Sequence, residues 1–253
     1  MENHPRAMRL AAGRARGACA ERAGFAALGL LSLALAQPAS AQVSGSLRVA
    51  SDDRWRGRSM SAGRPVAAAT IAYDAPDGGY IDAAGTATWA RGDVIALTGG
   101  AIDAGYAWRA SNGVAIDIGA ARQQFTRFSS GGRATGFSEV YGGITGRSLA
   151  GRLSYSPKYF VRGSRTVYAN IEAVARPATG WRLTAHAGAL VYITLPPARV
   201  GRTVEYDYSI GAVRRFKAIE LQLNLSSGGP SPDNYGGRVR SRTALVAAAM
   251  VAF

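Results

Sequence analysis

Ala218 to Ser226 reads AIELQLNLS. Ile219, Leu221, Leu223 and Leu225 fall on one side of this stretch, and Glu220, Gln222, Asn224 and Ser226 on the other. A period of two belongs to an extended strand, whose successive Cβ atoms point to opposite faces. A strand with one aliphatic and one polar face meets two different environments. The pattern repeats upstream. Val167, Ala169, Ile171 and Ala173 alternate with Thr166, Tyr168, Asn170 and Glu172, while Trp181, Leu183, Ala185 and Ala187 alternate with Arg182, Thr184, His186 and Gly188. Val43, Leu47 and Val49 oppose Ser44, Ser46 and Arg48, and Val114, Ile116 and Ile118 oppose Asp117.

From Gln42 onward no stretch carries a 3.6-residue apolar period, and no apolar run reaches the roughly 20 residues of a transmembrane helix. What recurs is an alternating segment of about ten residues followed by a turn rich in Gly, Pro, Asp or Asn. That is the signature of an outer-membrane barrel. The expected fold is therefore all-β, an antiparallel transmembrane β-barrel of about twelve strands. The strands are expected near 43–50, 65–74, 80–89, 94–109, 114–125, 137–146, 149–156, 165–176, 181–190, 204–217, 218–226 and 241–253. An even number brings both termini to the periplasmic side. The connections then alternate between short turns (77–79, 111–113, 147–148, 178–180, 217–218) and mostly longer loops (51–64, 126–136, 157–164, 191–203, 227–240), with 90–93 the short exception. A soluble β-sandwich has no reason to show that asymmetry.

The two ends agree with this reading. Phe25 to Ala36 (FAALGLLSLALA) is an apolar run preceded by five arginines and followed by Ala39-Ser40-Ala41. Charged region, apolar region and small-residue site are those of a signal peptide, and cleavage is expected after Ala41, with Ala39 and Ala41 as the recognised small residues. Residues 1–41 are then the signal peptide and 42–253 the barrel, with Met1 or Met8 as the start. At the other end Ala244 to Phe253 (ALVAAAMVAF) is apolar throughout and finishes on an aromatic residue. Such a closing strand is expected to present Phe253 to the barrel-assembly machinery. Trp and Tyr favour the interface, where a ring is half wet. Tyr73, Tyr80, Trp108, Trp181 and Phe216 are expected at the periplasmic rim, and Trp89, Phe125, Phe137, Tyr159, Phe160 and Tyr168 at the opposite rim. Tyr141, in mid-strand, fits neither.

The chain has 30 Lys and Arg against 16 Asp and Glu. Removal of residues 1–41 takes five arginines and two glutamates with it, leaving 25 basic and 14 acidic residues and a formal net charge of +11. It also takes Cys19, the single cysteine. A secreted chain without thiols has no disulfide framework and no cysteine-built metal site, so no metal or other cofactor is expected. Nucleic acid as a partner is excluded by the scattered arginines and the secretory address. The expected partners are outer-membrane lipid and lipopolysaccharide, whose phosphates suit loop arginines such as Arg56, Arg58, Arg199, Arg202, Arg238 and Arg240.

Ser51-Asp52-Asp53-Arg54-Trp55-Arg56-Gly57-Arg58-Ser59-Met60-Ser61 resembles the opening motif of the TorF-like outer-membrane porin family, SDYxFRGxSxS. Glu139-Val140-Tyr141-Gly142-Gly143 resembles its E-x-Y-G-G strand, Tyr155 to Phe160 its Y-S-P-x-Y-F strand end, and His186-Ala187-Gly188 a further H-x-G step. Asp53 and Trp55 depart from the family's usual aromatics. The resemblance implies one porin-like barrel in the outer membrane of a Gram-negative bacterium.

Charged side chains facing lipid cost about 2–4 kcal/mol near the bilayer midplane. Asp117, Gln123, Arg152, Glu172, Arg182, His186, Glu205, Asp207, Glu220 and Arg242 are therefore expected to line the lumen. The expected activity is passive passage of small hydrophilic solutes, with an anion preference if the arginines form a ring. Barrels of ~8 strands fill with side chains and those of ~16 are open; about twelve lies between, so an open pore is expected, with a plugged interior as the alternative. An outer-membrane enzyme acting on lipid or peptide would use His186, the only histidine left after cleavage, which lacks any G-x-S-x-G neighbour; a wall role is expected instead and no enzyme activity. Asp52-Asp53 is expected in a solvated loop or in a salt bridge to Arg54 or Arg56. A structural or adhesive barrel with partner-binding loops is the third reading.

Overall fold

The computed structural model describes residues 42–89, 94–110, 113–130, 134–195, 203–229, 233–235, 238–240 and 242–253. The expected signal peptide, with Ala39 and Ala41, lies outside them. Twelve strands form the barrel: β1 (Gln42–Ala50), β2 (Val66–Asp74), β3 (Gly79–Trp89), β4 (Ile95–Arg109), β5 (Ala115–Phe125), β6 (Thr135–Thr145), β7 (Leu149–Ser156), β8 (Arg165–Ala175), β9 (Trp181–Thr194), β10 (Val204–Phe216), β11 (Ile219–Gly229) and β12 (Ala244–Ala252). Each pairs antiparallel with its neighbour in sequence, and β1 closes on β12 through Ser46↔Ala252 to Ala50↔Ala248. Closure leaves no strand edge unpaired, which a lipid-exposed sheet requires.

The expected strands are all present, with shifted ends. The β9 strand runs to Thr194 and β11 to Gly229, past the expected 190 and 226, while β12 begins at Ala244 and not at 241. Lys217, at the β10–β11 corner, takes φ 54° in a tight turn. The start of β1 and the end of β12 lie at one end, where the backbones of Phe253 and Gly45 exchange hydrogen bonds of 2.8 and 3.0 Å. The long connections gather at the other end, called here the loop end.

Alternation divides the wall into an inner and an outer face, the outer one also bearing Arg122, Gln124 and Arg214. Ile71, Ile102, Ile118, Ile171, Ile210, Leu223 and Leu245 are exposed on the outer face. Every carboxylate of the barrel strands follows the opposite parity: Asp74, Asp82, Asp103, Asp117, Glu139, Glu172, Glu205, Asp207 and Glu220 face inward.

The expected aromatic rims need correction at the loop end. Trp89 is exposed there as expected, joined by Tyr155, Tyr206 and Tyr208. Phe125, Phe137, Tyr159 and Tyr168 are buried in a cluster inside the barrel, with Phe160 packed against it. Parity explains it: Phe125 shares a face with Asp117, Phe137 with Glu139, and Tyr168 with Glu172. At the terminal end Tyr73, Trp108, Trp181 and Phe216 are exposed outward, while Tyr80 turns in. Arg214 stacks over the rings of Trp181 and Phe216, with centroids 5.2 Å away from its guanidinium in both cases.

Candidate functional site in the barrel interior

The interior is layered by ion pairs. Nearest the termini, Arg182 on β9 reaches Glu220 on β11 at 2.9 Å. Around the wall, Arg152 on β7 bonds Asp117 on β5 at 2.9 Å, approaches Asp103 on β4 at 3.9 Å, and stacks 3.8 Å from the centroid of Tyr141. The Tyr141 hydroxyl donates to Asp103 and lies 2.6 Å from that of Tyr80. Tyr141, which fitted neither rim, is thus a lumen residue. Its hydroxyl needs space on β5: a Cβ at Gly119 would stand 2.4 Å from it. At mid-height His186 lies 2.8 Å from Asp207 and 3.7 Å from Glu172, with the Tyr168 hydroxyl 3.2 Å from its Nε2. His186 is a wall residue held between carboxylates.

The loop end is occupied by residues 51–64, which fold into the barrel. Arg54–Trp55 pairs with Arg58–Ser59 as a minute hairpin whose turn residues, Arg56 (φ 44°) and Gly57 (φ 72°), are both left-handed. Two-residue turns of that kind match the twist of antiparallel strands but strain a non-glycine residue. Gly57 is also pressed against the wall, since a Cβ there would lie 2.6 Å from the Ser227 carbonyl oxygen and 3.1 Å from Asp207 Cβ. The base of the loop is tied by Asp52. Its Oδ1 accepts from Ser59 Oγ at 2.5 Å and Ser61 Oγ at 2.8 Å, and its Oδ2 from Arg54 at 3.2 Å. The salt bridge from Asp52 to Arg54 was one of the expected arrangements; a solvated loop was not what formed.

The tip carries Arg56 into the interior. Its Nη2 donates to both oxygens of Glu139 on β6, at 2.8 and 2.9 Å. Its Cζ stands 3.8 Å from the centroid of Tyr168 and 5.1 to 5.6 Å from those of Trp55, Tyr159 and Phe137. Burial opposes its charge, but Glu139 first and the Tyr159 and Tyr168 phenols second outweigh it and raise the guanidinium's pKa above its ordinary value. The same Arg56 charge pulls the Tyr159 phenol down, but burial outweighs it and leaves that group above its ordinary range. Arg58 pairs with Glu205 on β10 at 3.1 Å. Arg242, expected on the last strand, instead precedes β12 and is nonetheless buried inside, donating to the carbonyls of Arg56 at 2.9 Å and Gly229 at 3.0 Å. Arg54 donates to the carbonyls of Gly57 and Arg242. Arg56 and Arg58 therefore neutralise wall carboxylates, and the expectation that they meet lipopolysaccharide is corrected. Ion pairing holds Arg56 inside because the enclosed Glu139 would otherwise lose its charge partner, while the Arg58–Glu205 pair lies nearer to water.

Asp53 stands apart. It is 0% exposed, and neither carboxylate oxygen accepts a hydrogen bond. Burial pushes its acid up to about 8, with the charge of Arg48 opposing and that of Asp52 assisting.

The expected lumen residues Asp117, Gln123, Arg152, Glu172, Arg182, His186, Glu205, Asp207 and Glu220 are all interior, together with Arg242 from its loop. Sequence reasoning missed Arg56, Tyr168, Phe137 and Tyr159 as interior residues. The segments that carried the resemblance converge here: the hairpin supplies Arg56, the second motif Glu139 and Tyr141, the third Tyr159 and Phe160, and the fourth His186.

Solved structures share the fold. The chain is similar to the NanC porin (TM-score 0.52, 9% identity, 83% of this chain and 98% of that one) and to the KdgM porin (TM-score 0.50, 13% identity, 83% and 99%). No curated protein matches it. A family model described as a bacterial protein of unknown function, Gcw_chp, matches residues 35–235, and the chain belongs to that family.

Proposed function

We propose that the chain is a porin-like channel in the outer membrane of a Gram-negative bacterium, passing small hydrophilic solutes, with loop 51–64 as an inner gate. The carrying observation is the separation of faces: strand carboxylates all point inward, while the outer face is mainly aliphatic with aromatic rims and carries only cationic or neutral polar groups such as Arg122, Gln124 and Arg214. A TorF-like porin is the finer reading, supported by the motifs that build the gate. Residues 1–41 act as the secretory leader, and Phe253, paired to Gly45, presents the closing strand to the assembly machinery. Lipopolysaccharide contacts then fall to loop arginines other than Arg56 and Arg58.

The anion preference expected from the arginine excess loses much of its basis in the interior. Arg56, Arg58, Arg152 and Arg182 each sit against a carboxylate. A weakly selective pore follows. Transport, not catalysis, fits His186, whose ring is held by Asp207, Glu172 and Tyr168 in the wall.

Single-channel recording of the full-length protein in a planar bilayer under a salt gradient is the test. Discrete steps with a reversal potential near zero are expected. A membrane that stays silent with protein that is folded by its gel mobility before and after boiling would overturn the channel reading, and a strongly anion-selective reversal would overturn the weak selectivity.

A further inference from the structure

The Arg56 guanidinium occupies a ready-made receptor. On one side Glu139 offers two oxygens to a single nitrogen at 2.8 and 2.9 Å; around it lie the faces of Tyr168, Trp55, Tyr159 and Phe137. All of these except Trp55 belong to the wall or to the 157–164 loop, so they stay in place when residue 56 leaves. A carboxylate enclosed by aromatic faces demands a cation, because a buried charge without a partner is strongly unfavourable. It also selects among cations. A guanidinium is flat, weakly hydrated and stacks on aromatic rings, whereas an ammonium is compact and strongly hydrated. The present occupant is held at the tip of a two-residue turn with a left-handed arginine (φ 44°), a strained conformation that favours release.

We propose that the space filled by the Arg56 side chain is a binding site for small guanidinium-bearing solutes, and that the loop supplies Arg56 as a built-in competitor for it. A solute of this class entering the barrel displaces the arginine and with it the hairpin. The site follows from the interior geometry alone and does not require the channel reading.

The test is calorimetric titration of the full-length protein in detergent micelles with methylguanidinium chloride, using urea as the uncharged isostere. Arg56→Ala is expected to bind methylguanidinium and not urea. The wild type is expected to bind at least about tenfold more weakly, because its own arginine competes, and so is Arg56→Ala/Glu139→Gln, which lacks the carboxylate; a tenfold loss is about 1.4 kcal/mol. No binding to folded Arg56→Ala, or equal binding to all three proteins, overturns the proposal. If Arg56→Ala does not fold, refolding decides: recovery of the heat-modifiable barrel band with methylguanidinium but not with equal urea supports the site, and no recovery overturns it. A bilayer silent in conductance leaves this titration unaffected, so the two readings fail separately.

Discussion

Two arginines inside the barrel have nearly the same surroundings. Arg152 and Arg56 each stand 3.8 Å from the centroid of a tyrosine ring, and each bonds a carboxylate at 2.8 to 2.9 Å. Arg152 grows from a wall strand, between β6 and β8, and its partners Asp103, Asp117 and Tyr141 are wall residues too. Arg56 grows from a strained hairpin tip that enters from the loop end. Identical chemistry thus serves two purposes: around Arg152 it fastens wall to wall, and around Arg56 it fastens a removable segment to the wall. What separates them is the backbone behind the guanidinium.

Removing the carboxylate from each should expose that difference most. Breaking a buried pair by deleting one partner costs about 3–5 kcal/mol. In Glu139→Ala that cost falls on the loop, which is expected to leave the interior: conductance rises several-fold, and trypsin cleaves after Arg56 or Arg58 while the barrel survives. In Asp117→Ala the cost falls on the wall, and the gel transition from folded to unfolded mobility moves to lower temperature with no new cleavage in 51–64. Equal protease resistance of Glu139→Ala and wild type would erase the distinction.

Asp53 sharpens it through pH. Its acid is raised from an ordinary value near 3.8 to about 8 in the folded loop. A raised value means the neutral form is favoured on folding, so its contribution to loop stability is full below about pH 4 and is lost as pH rises to about 8. The gate is expected to loosen over that window. Asp53→Asn should flatten the profile and hold the loop at pH 8, read as open probability against pH. The wall pairs around Arg152 lie elsewhere, so Asp117→Ala should keep the wild-type pH profile.

How far this contrast could be read from sequence depends on distance along the chain. The barrel was legible because alternation is local: Ile219 to Ser226 announces its two faces without help from any other segment. The inward placement of Asp117, Glu172, Glu205, Asp207 and Glu220 followed from the cost of charge in lipid, a rule that also covers Asp103 and Glu139, which were absent from the expected lumen set. The gate was not legible, because the Arg56–Glu139 pair joins residues 83 apart and Arg58–Glu205 joins residues 147 apart. Such pairs exist only once the barrel is closed, and an arginine-rich loop after a strand looks solvated until then. The buried aromatics were a nearer miss. Depth along the strand placed Phe125, Phe137 and Tyr168 at a rim, whereas parity with Asp117, Glu139 and Glu172 on the same strands would have placed them inside.

Two glycines repeat the comparison with a smaller effect. Gly57→Ala adds a methyl where the Ser227 carbonyl lies 2.6 Å away and φ is 72°, so both strain and collision act on the loop. A loss of about 1–3 kcal/mol of loop docking is expected, seen as faster trypsin cleavage in 51–64. Gly119→Ala meets the Tyr141 hydroxyl at 2.4 Å and the Ala104 carbonyl at 2.6 Å in the wall. Its effect should appear in thermal gel mobility and not in loop cleavage.

The smallest effect is expected where the loop touches the wall in contact with water. The Arg58 side chain is 35% exposed, against 10% for Arg56, although both hold a glutamate. Solvent screens the Arg58–Glu205 attraction, and exposed pairs are worth about 0.2–1 kcal/mol. Arg58→Ala should therefore shift the loop's docking equilibrium by fivefold or less, whereas Glu139→Ala undocks it. The dependence on salt should differ as well, since a screened pair weakens as ionic strength rises and an enclosed one does so far less. If Arg58→Ala opened the gate as fully as Glu139→Ala, the latch would have to be assigned to the loop's charges collectively, and burial of the Arg56 guanidinium among its rings would lose its place as the reason the loop stays in.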